Sequence, residues 1–205
     1  MEAVIPMDRL RLSRLLVIGA WGALMAPATP LARAATEFSV AAVARDTAVE
    51  VKARAVLKAP VNLIWQTLTD YDHLSQFVPG ISTSRVISRQ GTESIVEQKG
   101  GARFWLFSYP IRVTLQSNER PFQGIDVHLI QGNLRRLDGV YRIEPRADGS
   151  TELTWSGLIE PERPLPGFIR IALLRGSISD QFAGMVREIE RRAAPGAAGE
   201  APAPR

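Results

Sequence analysis

The sequence predicts an α+β fold: one curved, mostly antiparallel sheet covered by a long C-terminal helix. Three observations carry this expectation. Between Val49 and Ile159 most segments alternate apolar and polar residues with period two. Gly-rich turn signals separate those segments at short intervals. After Pro164-Leu165-Pro166, the residues Ile171, Leu174, Ile178, Phe182, Met185 and Ile189 recur at helical spacing. A one-faced sheet and a one-faced helix each need an apolar partner, and each can serve the other.

The elements follow in order. Val49, Val51, Ala53, Ala55 and Leu57 alternate with Glu50, Lys52, Arg54, Val56 and Lys58, a half-buried strand. Pro60 stands where a first helical turn tolerates proline, and Val61, Ile64, Trp65 and Leu68 form one helical stripe behind it. Asp70-Tyr71-Asp72 opens a second short helical turn that ends near Phe77-Val78-Pro79-Gly80. Strands are expected over 81–88, 94–99 and 104–116, with turns at Arg89-Gln90-Gly91 and Gly100-Gly101. Ile125, Val127 and Leu129 share a face of the next strand, opposite Asp126 and His128. Leu137, Gly139, Tyr141 and Ile143 mark the inward positions of another. Leu153, Trp155, Gly157 and Ile159 mark those of the last, and the final helix runs to about Arg192.

The 205 residues are 45% hydrophobic, enough for a packed core and too apolar for disorder throughout. Residues 1–34 have the layout of a secretory signal peptide. Arg9, Arg11 and Arg14 precede an uncharged apolar run at 15–26, and Ala32-Arg33-Ala34 offers an A-x-A cleavage site. That run is too short to span a bilayer, so cleavage and a periplasmic or secreted protein are expected. An uncleaved hydrophobic N-terminus or an organelle transit peptide is the alternative. Residues 46–192 form the expected folded domain, and 193–205, small residues and proline, an expected disordered tail.

Several function classes are excluded or disfavoured. Cysteine is absent, which removes disulfide scaffolds, thiol nucleophiles and thiolate-held metal clusters. The net charge of +4 comes from scattered arginines, four of them before Ala35, so no nucleic-acid partner is expected. His73 and His128 are the two histidines. The first reads as an exposed turn histidine near Asp70, itself a candidate helix cap, and the second points to the polar strand face. No Gly-x-Ser-x-Gly elbow and no phosphate loop occur, and no metal or other cofactor is expected. Glu97, Tyr109 and Tyr141 remain as possible acid–base groups if they face an apolar cavity; packing as ordinary core aromatics is the plainer reading of the tyrosines.

Four further segments carry the resemblance to a family: Ala59-Pro60-Val61, Trp65-x-x-Leu68-Thr69-Asp70-Tyr71, Phe77-Val78-Pro79-Gly80 and Val96-Glu97-Gln98. With Arg135-Arg136-Leu137-x-Gly139-x-Tyr141-x-Ile143-x-Pro145 and Leu153-Thr154-Trp155, they extend over most of the domain. The chain resembles the START-like (SRPBCC) superfamily of polyketide cyclase/dehydrase and coenzyme Q-binding proteins. The resemblance implies the helix-grip fold and a hydrophobic cavity between sheet and long helix, but no single reaction.

Strand and helix parity then suggest what lines such a cavity. Trp105, Phe107, Tyr109, Leu137, Tyr141 and Trp155 share the inward face, and Ile171, Ile178 and Phe182 face it from the helix, with Phe168 close by. Gly139 and Gly157 stand at inward positions where missing side chains leave room for a ligand, unless tryptophan rings fill that room or the glycines serve sheet curvature. Arg135 shares parity with Leu137 and is a candidate contact for a polar ligand head, whereas Arg136 faces solvent. Ile169 and Leu173 lie roughly opposite the Ile171 stripe and suggest an outward apolar face for peripheral membrane contact. A chain segment folding back over them is the alternative. The expected function is an exported domain that binds a hydrophobic small molecule such as a quinone or lipid. A polyketide cyclase or aromatase using cavity tyrosines or Glu97 is the alternative.

Overall fold

A computed structural model describes residues 37–104 and 107–194, apart from the side chains of 104–108. The chain divides into two units, Met1–Ala34 and Ala35–Arg205. The export-signal reading, the expected tail beyond Ala194 and Trp105 all lie outside the described residues.

Eight strands form one sheet in the order β1-β2-β8-β7-β6-β5-β4-β3, every neighbouring pair antiparallel. The first, β1 (Glu37–Arg45), precedes the expected start of the domain and pairs along its length with β2 (Ala48–Leu57). Asp46 turns the chain between them at φ 52°, a left-handed conformation that aspartate tolerates better than most residues. In β2 the period-two reading holds, because Val49, Val51, Ala53, Ala55 and Leu57 are all buried.

Two short helices follow, α1 (Val61–Leu68) and α2 (Leu74–Phe77), joined by a 3₁₀ turn at Tyr71–His73. Pro60 caps α1 from outside, its carbonyl accepting from the Leu63 and Ile64 amides. Asp70 makes no side-chain cap. Its carboxylate instead meets His73 Nδ1 at 2.6 Å and Arg192 at 2.8 Å, which ties the turn to the end of the last helix. Burial opposes the charge on Asp70, but the hydrogen bonds from Arg192 and His73 outweigh it and hold its carboxyl below the usual range.

The remaining strands are β3 (Ile81–Gln90), β4 (Glu93–Phe104), β5 (Phe107–Arg120), β6 (Gly124–Gly132), β7 (Leu134–Pro145) and β8 (Thr151–Pro161). Gly100-Gly101 is not a turn: β4 runs through it. The two glycines lie where the backbone at Gly80, leading into β3, closely approaches β4. A Cβ on Gly100 would fall 1.9 Å from the Gly80 carbonyl oxygen, and the Gly101 amide donates to that oxygen at 2.9 Å.

The last element, α3 (Gly167–Ala193), contacts β1, β2, β4 and α1. The sheet therefore wraps the helix rather than merely lying beneath it. Ile169 and Leu173 are only 6% and 1% exposed, so the outward apolar face expected there does not exist. The reason is the unforeseen edge strand. β1 and β2 extend the sheet along the side of α3 taken as wet, and Arg170 and Arg175 hydrogen-bond the Asp46 and Val40 carbonyls there. Farther along, Phe38 of β1 meets Phe182 with ring centres 5.8 Å apart. Phe168, expected to approach the core, is instead 74% exposed.

Candidate functional site

Between sheet and helix lies a cavity of about 130 Å³. Leu115, Ile125, Val127, Leu137, Tyr141 and Trp155 supply its floor from β5 to β8. Ile178, Gln181, Phe182 and Met185 of α3 form its roof. Leu68, Tyr71 and Leu74 close one end, and Val96 and Gln98 line the β4 side. Period two explains the floor, since alternate residues of each strand face the helix. Among the described residues, no charged side chain lines this cavity.

A second cavity of about 70 Å³ shares Ile81, Gln98, Leu137, Ile159, Ile178 and Gln181 with the first. It shares Gly80, Ile81, Gly100 and Ser177 in turn with a wide surface cleft that also holds Arg103 and Asp180. The three spaces run in one direction, from a closed end at Tyr71 to a charged opening beside Gly80.

Of the residues expected to line a ligand site, Leu137, Tyr141, Trp155, Ile178 and Phe182 converge on the first cavity. The Tyr141 and Trp155 rings tilt together at 6.4 Å, and burial pushes the Tyr141 phenol up to about 12. Gly139 and Gly157 do not line the cavity. A Cβ on Gly157 would lie 2.4 Å from the Trp155 ring, and one on Gly139 would lie 3.2 Å from it, so the glycines accommodate the indole rather than a ligand. Tyr109 is buried elsewhere; its hydroxyl donates to the Asn133 carbonyl at 3.0 Å and accepts from the Arg163 amide at 3.4 Å. Ile171 is half-buried and lines neither cavity. The side chain of Phe107 is outside the description.

Arg135 also lies away from the cavity. The ladder between β7 and β8 slips between Leu134 and Arg136, and Arg135 is directed outward to Glu160 at 3.6 Å. Glu97 is on the outer face, where Arg85 and Lys99 pair with it and hold its carboxyl below the usual range. His128 is exposed and meets Asp138 at 3.0 Å. Among the described residues no cluster of His, Asp and Glu is arranged to hold a metal ion, and no helix is long and apolar enough to cross a membrane.

Sequence reasoning missed the cavity's closed end and its polar groups. Tyr71, Ser117, Gln98 and Gln181 all line it. Val96-Glu97-Gln98 carried a usable signal, because alternation places Gln98 on the same face as Val96. Tyr71 sits in a 3₁₀ turn, where neither strand nor helix periodicity applies.

An eight-stranded antiparallel sheet gripping a long C-terminal helix over an apolar cavity defines the helix-grip, START-like class. Within it, the chain belongs to the polyketide cyclase / dehydrase and lipid transport family, whose model matches residues 57–186. No curated protein matches the chain. Solved structures similar to it include the Zhui aromatase/cyclase from Streptomyces sp. R1128, 14% identical, with a TM-score of 0.61 over 75% of this chain and 99% of that one. A START superfamily protein from Mycobacterium smegmatis is 18% identical, with a TM-score of 0.60 over 69% of this chain and 97% of that one. A STAR-related lipid transfer protein from Xanthomonas axonopodis is 14% identical, with a TM-score of 0.55 over 75% and 98% respectively.

Proposed function

We propose that this domain binds a hydrophobic small molecule, such as a quinone or lipid, between the sheet and α3, and that it does so outside the cytoplasm. The observation that carries the binding reading is a cavity of about 130 Å³ between the sheet and α3, lined by no charged side chain among the described residues. Unfilled volume of this size costs stability, whereas a bound apolar group would regain about 25 cal/mol for each Å² it removes from water. A comparable cavity of about 150 Å³ holds a benzene-sized ring, so the inner space suits one ring or a branched chain end. A longer ligand would continue through the second cavity toward the cleft.

The proposed compartment rests on the three-part layout of residues 1–34. One experiment addresses both halves: mass spectrometry of the protein purified from its native host, intact and after organic extraction. The expected result is a chain beginning within a few residues of Ala35 that co-purifies with an isoprenoid quinone or lipid. An intact N-terminus in the cytoplasmic fraction would contradict export. Protein repeatedly free of apolar small molecules would contradict binding.

Cyclase or aromatase chemistry is the second reading, and Tyr141 is what favours it. Its phenol lines the cavity with no hydrogen bond to a described residue, in surroundings that keep it protonated. Tyr141→Phe separates the two readings. A binder should keep its ligand affinity to within a few fold. An acid–base enzyme should lose activity by about 10²-fold or more.

A further inference from the structure

Tyr71 is 6% exposed, lines the closed end of the cavity, and its hydroxyl has no hydrogen-bond partner. Ser117 and Glu119 lie near that hydroxyl without meeting it in hydrogen-bond geometry. A buried hydroxyl left unpaired costs about 1–3 kcal/mol, and such groups are rare unless something else satisfies them. Ser117 and the Tyr141 phenol also line this cavity, but among the described residues Tyr71 carries the fully buried cavity hydroxyl left without a partner.

The surroundings restrict what that donor can meet. Burial pushes the Tyr71 phenol up, and the Glu119 charge adds to the effect, so the group remains a donor at physiological pH. Glu119 is itself held by Ser94 at 2.9 Å, and Arg89 stands 3.9 Å from the same oxygen. An anionic ligand head placed beside Tyr71 would be desolvated, and Glu119 would repel it more than Arg89, 5.9 Å over the Tyr71 ring, would attract it. A neutral oxygen loses far less hydration on burial, and a hydrogen bond from Tyr71 compensates that loss. The opposite end of the passage opens on the cleft that holds Arg103 and Asp180.

We propose that the cavity takes its ligand oxygen end first, with Tyr71 donating a hydrogen bond to a neutral carbonyl or hydroxyl oxygen on a ring-sized head. The apolar remainder of the ligand points toward the Gly80 cleft. This deepens the cavity-binding reading above and rests on it. It commits to oxygenated rings such as quinones, cyclic ketones and sterol-like alcohols, and against fatty acids entering carboxylate first.

Calorimetric titration with three matched probes tests it: indane, 1-indanone and indane-1-carboxylate, against wild type and Tyr71→Phe. The wild type should bind 1-indanone at least about tenfold more tightly than the carboxylate at neutral pH, given the cost of burying a charge beside Glu119. Tyr71→Phe should shift the ratio of ketone to indane affinity against the ketone by about tenfold, with indane itself within about twofold. An unchanged ratio, or a carboxylate that binds best, would overturn the proposal while leaving cavity binding intact. Failure of all three probes to bind the wild type would defeat both readings together. An infrared measurement keeps the test independent of the variant's folding. The carbonyl stretch of 1-indanone bound to wild type should lie below its position in an apolar solvent, and a stretch at the apolar-solvent position would contradict the bond to Tyr71.

Discussion

At Gly157 an added Cβ would come within 2.4 Å of the Trp155 ring, whereas at Gly139 the nearest ring atom would be 3.2 Å away. Overfilling a close-packed interior costs about 1–3 kcal/mol when the neighbours cannot move aside. Gly157→Ala should therefore destabilise the protein by that amount in urea unfolding, and Gly139→Ala by less. Equal and negligible effects would mean that the indole is not seated over the glycines. Strand parity puts Leu137, Tyr141 and Trp155 on the inner sheet face, where all three line the cavity, because Cβ direction is fixed by the pleat. It could not follow side chains beyond Cβ, so the Tyr109 hydroxyl at Asn133 and the Trp155 ring over two glycines were not legible. Arg135 was misread for a different reason: the ladder slips at that residue, and alternation does not survive a bulge.

Most strands and the long helix were visible in the sequence because each repeats its period over many residues. β1 was not. Its sequence EFSVAAVAR offers small residues in place of strong alternation, and most of it is exposed on the sheet edge. Missing one strand reversed the meaning of one helix face, since Ile169 and Leu173 look unpartnered only when nothing is placed beside them. Leu173→Ser should cost about 2–5 kcal/mol, as buried leucine truncations do. A surface leucine would change stability by under about 0.5 kcal/mol, and that result would contradict the wrapped helix. The Gly100-Gly101 pair was likewise misread, because glycines that permit a close backbone approach look in sequence like glycines that permit a turn.

For the whole molecule, the sheet makes the cavity by curling around α3 while the short helical segment at Leu68, Tyr71 and Leu74 blocks one end. Fold class and the presence of an apolar interior were readable from period and from resemblance. The position of the empty space was not, because it depends on the volumes of residues from six strands, three helices and a 3₁₀ turn meeting at one place. Ile178 is the side chain of α3 that borders both inner cavities along with Gln181, so it controls the filled fraction of the passage. The most direct measurement is calorimetric titration of indane into wild type and Ile178→Trp, with thermal unfolding to confirm that both are folded. The wild type should bind and the tryptophan variant, its cavity occupied by its own indole, should bind at least about tenfold more weakly, a difference of about 1.4 kcal/mol. Equal affinity in two folded proteins would show that the ligand does not occupy the space between sheet and helix.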